Sequence, residues 1–305
     1  MTGLRSVHAF WIVVGLASLM LPAQGHTGEA RRTIGRVDSR LVLVPVTVTD
    51  RNGKTITDLK REQFQVLDNS QPVEIVSFTR EEAPVSIGVV LDLSGSMRAK
   101  RSQAISAVRE ITGRTGERDE AFLVTFSGAP EMRVELTSDV HSIVEPLMFT
   151  GAKGATALVD AVYMGLQEIK RARNPRRVLI VVSDGGDNNS RYTEAELIRL
   201  ALESDTQIYS ISINESVTDR QERAGVFLLS KLSETTGGLN FIVRDRRDLP
   251  EVAAKLITAI NNLYVIGYRP SEEFLSGKWR SLKIKVESEA GQRLRVTSRT
   301  GYFPD

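Results

Sequence analysis

Val85-Ser86-Ile87-Gly88-Val89-Val90-Leu91-Asp92-Leu93-Ser94-Gly95-Ser96 is the stretch on which the fold of this chain turns. Its apolar run is uninterrupted, as expected of a central parallel strand covered on both faces, whereas a half-exposed strand would alternate. Helix-like spacing follows at Ala104, Ile105, Val108 and Ile111, then a second strand over Ala121-Phe122-Leu123-Val124-Thr125-Phe126. The alternation continues with a helix near Leu158–Ile169, the strand Val178–Val182, a helix opening at the capping box Thr193-x-x-Glu196, and the strand Ile208–Ile213. A last helix is expected from Asp248-Leu249-Pro250-Glu251, with Asp248 as N-cap and Glu251 reaching back to it. Alternating βα units of this length predict a doubly wound, mostly parallel, Rossmann-like α/β domain over residues 83–264.

Both flanks read as β-structure. Val44, Val46 and Val48 share one face of a strand that runs into the turn Asp50-Arg51-Asn52-Gly53, where Asn-Gly is a hairpin signal. Phe64, Val66, then Val73, Ile75 and Phe78 predict a strand pair about Asp68-Asn69-Ser70-Gln71. Near the end, Leu282, Ile284 and Val286 alternate, Glu289-Ala290-Gly291-Gln292 turns, and Leu294 and Val296 alternate back. Neither flank has strands enough for a core of its own. Residues 41–82 and 265–305 are therefore expected to combine into one small β-sandwich-like domain with the α/β domain inserted between them.

The 305 residues are 41% hydrophobic and 26% charged, with a net charge of +2, the values of a globular protein with a core. No concentrated basic stripe is present, so nucleic acid is not an expected partner. Arg171, Arg173, Arg176 and Arg177 read instead as a solvated helix end. Residues 1–25 have the layout of a secretory signal peptide: Arg5 and His8, the apolar run Ala9–Leu21, and Ala23-Gln24-Gly25 before a cleavage point. Residues 26–40 read as a polar linker. The expected location is secreted or periplasmic, with membrane contact only if the leader stays uncleaved as an anchor. Cysteine is absent, which removes thiol nucleophiles and thiolate metal sites, and His141 is the only histidine beyond the leader and the expected new N-terminus.

Chemistry concentrates in three short segments. Asp92-x-Ser94-x-Ser96 ends the first central strand, Gly154-Ala155-Thr156-Ala157-Leu158 leads into a helix, and Ser183-Asp184-Gly185-Gly186-Asp187 ends the Val178–Val182 strand. All three are expected outside the carboxyl ends of the strands, where doubly wound folds place ligands. Asp92 and Asp184 supply carboxylates, while Ser94, Ser96 and Thr156 supply neutral hydroxyls. Such hard oxygen donors suit Mg²⁺ or Mn²⁺ and serve Ca²⁺ less well. Two carboxylates balance a divalent ion and leave it able to accept a further carboxylate from a protein partner. Gly95, Gly154, Gly185 and Asp187 are the expected rim for that partner. The run Asp187-Asn188-Asn189 reads as a loop ahead of the Thr193 cap, His141 as solvent-facing, and Trp279 and Tyr268 as closing the β domain.

These motifs, in this order, resemble the metal-ion-dependent adhesion site of von Willebrand factor type A domains. The resemblance covers about residues 83–264. It implies that Ser94, Ser96 and Thr156 coordinate the metal directly, with Asp92 and Asp184 direct or through water. Ala155 departs from the glycine common at that position. The flanks, with Val46-Thr47-Val48-Thr49-Asp50-x-x-Gly53 and Tyr264-x-x-Gly267-Tyr268, resemble an exported bacterial group related to type A domains, for which no general activity carries over. The resulting expectation is a non-enzymatic, metal-dependent adhesion module that recognises an acidic residue of its partner. The alternatives are an envelope protein whose metal only stabilises loops, and a metal-dependent hydrolase, which lacks an obvious general base.

Overall fold

Valine- and isoleucine-rich runs separated by amphipathic segments produce alternating strands and helices through the middle of the chain. The computed structural model describes residues 41–80, 83–213, 220–270, 277–288, 291 and 293–304. The predicted leader, the linker and most of the predicted turn at 289–292 lie outside these residues. The strands are β1 (Val42–Thr49), β2 (Phe64–Asp68), β3 (Gln71–Val73), β4 (Ile75–Arg80), β5 (Val85–Asp92), β6 (Glu120–Phe126), β7 (Pro130–Thr137), β8 (Arg176–Ser183), β9 (Gln207–Ile213), β10 (Asn240–Val243), β11 (Tyr264–Tyr268), β12 (Arg280–Val286), β13 (Arg295–Thr297) and β14 (Gly301–Tyr302). The α-helices are α1 (Arg101–Thr112), α2 (Leu158–Glu168), α3 (Glu194–Glu203), α4 (Arg220–Thr236) and α5 (Leu249–Asn261).

The central sheet has the order β10-β9-β8-β5-β6-β7, parallel except for β7, which runs antiparallel along β6 at one edge. Alternate residues of one strand face opposite layers, so the continuous apolar runs feed two cores. Ile87, Val89 and Leu91 of β5 pack with α1, α5 and the 3-10 segment Val140–Phe149 on one side. Val90 joins Phe122, Leu179 and helices α2, α3 and α4 on the other. This is the doubly wound α/β fold expected.

Strands from the two flanks pair with each other. β1 runs antiparallel to β11 and β13, giving a sheet of order β13-β1-β11-β4; β12 pairs with β2 and β14, giving β14-β12-β2-β3. Both antiparallel sheets face one apolar core, in which Val44, Val46 and Val48 meet Phe64, Val66, Ile266 and Ile284. The chain crosses between the sheets at Glu74, since Val73 belongs to one and Ile75 to the other. The expected turn at Asn69-Ser70 forms with both residues at positive φ (47° and 66°), the backbone that joins β2 to β3.

Four local expectations are corrected. Leu294 and Val296 do not fold back on β12: β13 lies in the other sheet, on β1. The Asn52-Gly53 turn forms, yet its return leg makes only the bridge Thr49–Thr55. Asp248 makes no side-chain cap; Asp245 accepts from the Arg247 N–H one turn earlier, and Glu251 pairs with Lys255 at 2.8 Å. The arginine run is a solvated helix end only in its first part: Arg171 and Arg173 are exposed just after α2, but Arg173 also pairs with buried Glu120, and Arg176, which opens β8, donates to the carbonyls of Ala83 and Ile260. No helix among the described residues is long and apolar enough to cross a membrane.

At the centre of the sandwich lies one charged cluster. Asp68 is 1% exposed and accepts from Arg280 Nε at 2.9 Å, Tyr268 Oη at 3.1 Å and Tyr302 Oη at 3.2 Å. Removing one partner of a buried ion pair strands the other charge, at a cost of about 3–5 kcal/mol. Asp68→Ala is therefore expected to lower unfolding free energy by that order in urea titrations, with Tyr302→Phe costing about 1 kcal/mol.

Candidate metal centre

The parallel register of β5 and β8 sets the geometry of the site. Leu91 pairs with Val182, so both strands finish at the same level and Asp92 comes to rest beside Ser183. Ser183 Oγ donates to Asp92 Oδ2 at 2.6 Å, and the Ser94 N–H donates to Oδ1 at 2.8 Å. Both oxygens of a carboxylate with 0% exposure are thereby oriented. Burial, and then the negative charge of Asp184, push the Asp92 pKa up to about 6 against the lowering effect of those hydrogen bonds.

The three segments are tied to one another. Ser94 Oγ lies 3.1 Å from Ser96 Oγ, and the Gly95 N–H donates to the Gly154 carbonyl at 3.1 Å, joining the first segment to the second. The Thr156 N–H donates to Asn188 Oδ1 at 2.9 Å, and the Thr156 carbonyl accepts from Asn188 N at 2.9 Å, joining the second to the third. Gly185 has φ +96°, which favours glycine, and its carbonyl lies so close to α4 that a Cβ on Gly225 would meet it at 1.1 Å. This backbone contact seats the segment that carries Asp184. Ser94, Thr156, Asp92 and Asp184 are buried, while Ser96 is exposed at the mouth.

Lys100 Nζ stands 3.0 Å from Asp184 Oδ2, with side-chain exposures of 12% and 2%. Two neighbouring buried carboxylates require positive charge nearby, and this ammonium supplies part of it. The donor set of hydroxyls and carboxylates fits a small divalent cation held by hard oxygens. No cluster of three or more His, Cys, Asp or Glu occurs among the described residues. A site with more hydroxyls than carboxylates is of a different kind from such clusters.

Of the four expected rim positions, Gly95 and Gly154 are exposed. Gly185 is buried against α4, and Asp187 is turned inward, its Oδ1 accepting from the Leu158 N–H at 3.2 Å and from Ser190 Oγ at 2.8 Å. Burial is also the leading cause of its raised pKa. Ala155 is exposed, so its methyl meets solvent rather than the site. Sequence reasoning missed Lys100 and Asn188. Lys100 stands eight residues beyond Asp92 on no recognisable spacing, and Asn188 reads as an ordinary loop residue.

Residues 87–186 match the family model of the von Willebrand factor type A domain. This stretch is a type A domain. Two curated proteins resemble the chain more widely. It is 27% identical over 171 residues to inter-alpha-trypsin inhibitor heavy chain H4 of Sus scrofa, covering 51% of this chain and 18% of that one. It is 26% identical over 187 residues to an uncharacterized protein of Borreliella burgdorferi, covering 53% and 55%. The chain thus spans less than two thirds of either relative. Among solved structures, proximal thread matrix protein 1 from the mussel byssus shares the fold at TM-score 0.52 and 16% identity, covering 64% of this chain and 51% of that one. Another structure of the mussel protein has a zinc-occupied MIDAS motif, at TM-score 0.51.

The raised Asp92 pKa gives the type A domain a defined pH dependence in chelator. An acid with a folded-state pKa above its unfolded value leaves stability intact below about 4 and lowers it as pH rises through about 6. A shift of about two units corresponds to about 3 kcal/mol. The difference in unfolding free energy between the native protein and Asp92→Asn should therefore change by that order between pH 4 and pH 7, with the native protein losing more.

Proposed function

We propose that this chain is a binding module whose type A domain holds a divalent cation, Mg²⁺ or Mn²⁺ before Ca²⁺, and uses it to recognise a carboxylate on a protein partner outside the cytoplasm. Ser94, Ser96 and Thr156 would be the direct ligands, and Asp92 and Asp184 would act directly or through water. The observation that carries this reading is the pair of buried carboxylates at adjacent strand ends, with hydroxyls on tied loops around them. Such an arrangement is costly without a cation and has a use with one. The metal site of the mussel byssus protein, which shares the fold, is a further support. The leader-like N-terminal sequence supports action outside the cytoplasm, and the β-sandwich would serve as the mount that holds the domain, with boundaries proposed at 41–82, 83–264 and 265–305.

Binding would need no covalent step by the protein. A hydrolytic reading requires a general base placed to activate a metal-bound water, and the carboxylates at the site already accept from other segments: Asp92 from Ser183, Asp184 from Lys100 and Asp187 from the Leu158 N–H. A purely structural metal would leave partner binding indifferent to the ion.

Calorimetry of the purified protein with Mg²⁺, Mn²⁺ and Ca²⁺ tests the reading. One saturable site is expected, lost in Asp92→Ala and weakened about tenfold or more in Thr156→Ala. A titration without binding heat or stabilisation for any of the three ions would sink it. Lys100→Met should tighten the site, because the ion no longer competes with an ammonium for Asp184, and should lower the melting temperature in chelator, where Asp184 is left unpaired.

A further inference from the structure

Beside the candidate metal centre lies a cleft of about 410 Å³. Its floor includes Leu93, the residue between Asp92 and Ser94, together with Phe126 at the end of β6; Arg133 of β7, Phe149 and Lys153 stand around it. The cleft and the metal segments share backbone. The Lys153 N–H donates to the Leu93 carbonyl at 2.9 Å, and the Leu93 N–H donates to the Phe126 carbonyl at 2.7 Å.

Phe149 is 92% exposed and its neighbour Met148 is 56% exposed, although the residues just before them, Ile143, Val144 and Leu147, are buried in the core. The aromatic ring is not left out by a loose loop. Arg101, the first residue of α1, donates through its guanidinium to the carbonyls of Leu147, Met148 and Thr150, which fixes the backbone on both sides of Phe149. An ordered, solvent-facing aromatic next to a cleft has the character of an interface anchor.

Charge around this mouth is mainly positive. Glu131 is matched by Arg133 at 2.7 Å, and Arg133 is further oriented by donating to Thr125 Oγ1 at 3.0 Å. Lys153, which lines the cleft, and Arg98, outside its lining and two residues beyond Ser96, are exposed and have no carboxylate partner among the described residues. The surface thus combines an apolar anchor with unmatched cations a short reach from the metal segments.

We infer that this cleft is a second recognition subsite for the same partner, taking an apolar or aromatic side chain against Phe149 and a second acidic side chain at Lys153. The inference rests on the proposed metal-dependent function and narrows its ligand class, from any exposed carboxylate to a protein segment that pairs a metal-binding acid with an apolar residue and a further acid at fixed spacing. The metal supplies a common attraction for carboxylates, and the cleft supplies the discrimination among them.

The test is selection from a displayed library of nine-residue peptides with one fixed central Asp, using the full chain in Mg²⁺ and in EDTA. Enrichment that disappears in EDTA, with an apolar or aromatic residue and a second acid at constant offsets from the Asp, is the expected result. Phe149→Ser should then reduce the affinity of a selected peptide about tenfold or more and erase the apolar preference. Lys153→Glu should turn the acidic preference into a basic one. Both variants should keep the native Mg²⁺ affinity. Offset preferences that survive both substitutions would overturn this inference while leaving metal-dependent carboxylate binding in place. Sedimentation in which native protein self-associates and Phe149→Ser does not would also overturn it, by assigning the aromatic to a second copy of the chain. A library with no chelator-sensitive enrichment would overturn both readings together.

Discussion

The level pairing of β5 with β8 is the constraint from which the rest of the site follows. In parallel strands the hydrogen bonds fix register along the whole length, so pairing Leu91 with Val182 determines where both chains leave the sheet. A shift of one residue would send every apolar side chain of the run to the opposite core, each of which is already built from its own set of fully buried side chains. The apolar packing of the interior therefore locates Asp92 beside Ser183, with Asp184 one residue further on. Two carboxylates are held together by forces that have nothing to do with their charge.

That enforced proximity makes the surrounding polar detail intelligible. Ser183 and the Ser94 N–H act on Asp92, Lys100 on Asp184, and Asn188 on the backbone of Thr156. Each interaction offsets part of the cost of charge or backbone removed from water. The Gly185–Gly225 contact does the equivalent work sterically, with α4 pressed on the backbone beside Asp184. The sandwich solves a separate problem. Its strands come from both ends of the described chain, and Asp68 binds partners from β11, β12 and β14 at once. Loss of either flank would leave the other with an unmatched buried charge as well as open sheet edges.

Much of this could be read from residues alone, for reasons that differ by element. Buried parallel strands announce themselves as unbroken apolar runs, and the Thr193-x-x-Glu196 box formed with both reciprocal bonds. Short edge elements carry no such pattern. β7 and β10 show this: β10 is only four residues long, and in β7 Met132, Val134 and Leu136 alternate with Glu131, Arg133 and Glu135, an edge-strand signal that a search for unbroken runs passes over. The pairing of β13 with β1 is a tertiary choice between equally plausible partners, on which local alternation is silent. At the site, the five candidate ligands and their order were readable because loops at strand ends keep short spacings. Lys100 and Asn188 were not, because their roles exist only once distant segments meet.

The same reasoning separates what the candidate metal face must keep physically from what it is free to vary. The carboxylates, the tying hydrogen bonds and the glycine contact are interlocked, so a change in one disturbs the others. Phe149 and Lys153 are not interlocked in this way: Arg101 grips backbone carbonyls, which every residue type provides, and leaves the side chain at 149 free, while Met148 is held only by its Sδ accepting from Arg109 at 3.7 Å. A scaffold that fixes the path of a loop while leaving its side chains free is suited to changing partner preference without disturbing the fold. A large exposed aromatic at such a position brings no folding benefit, since it buries almost nothing. Its place in an ordered loop beside the candidate cation site therefore adds nothing to the stability of the fold and leaves it free for the contact proposed at the adjoining cleft.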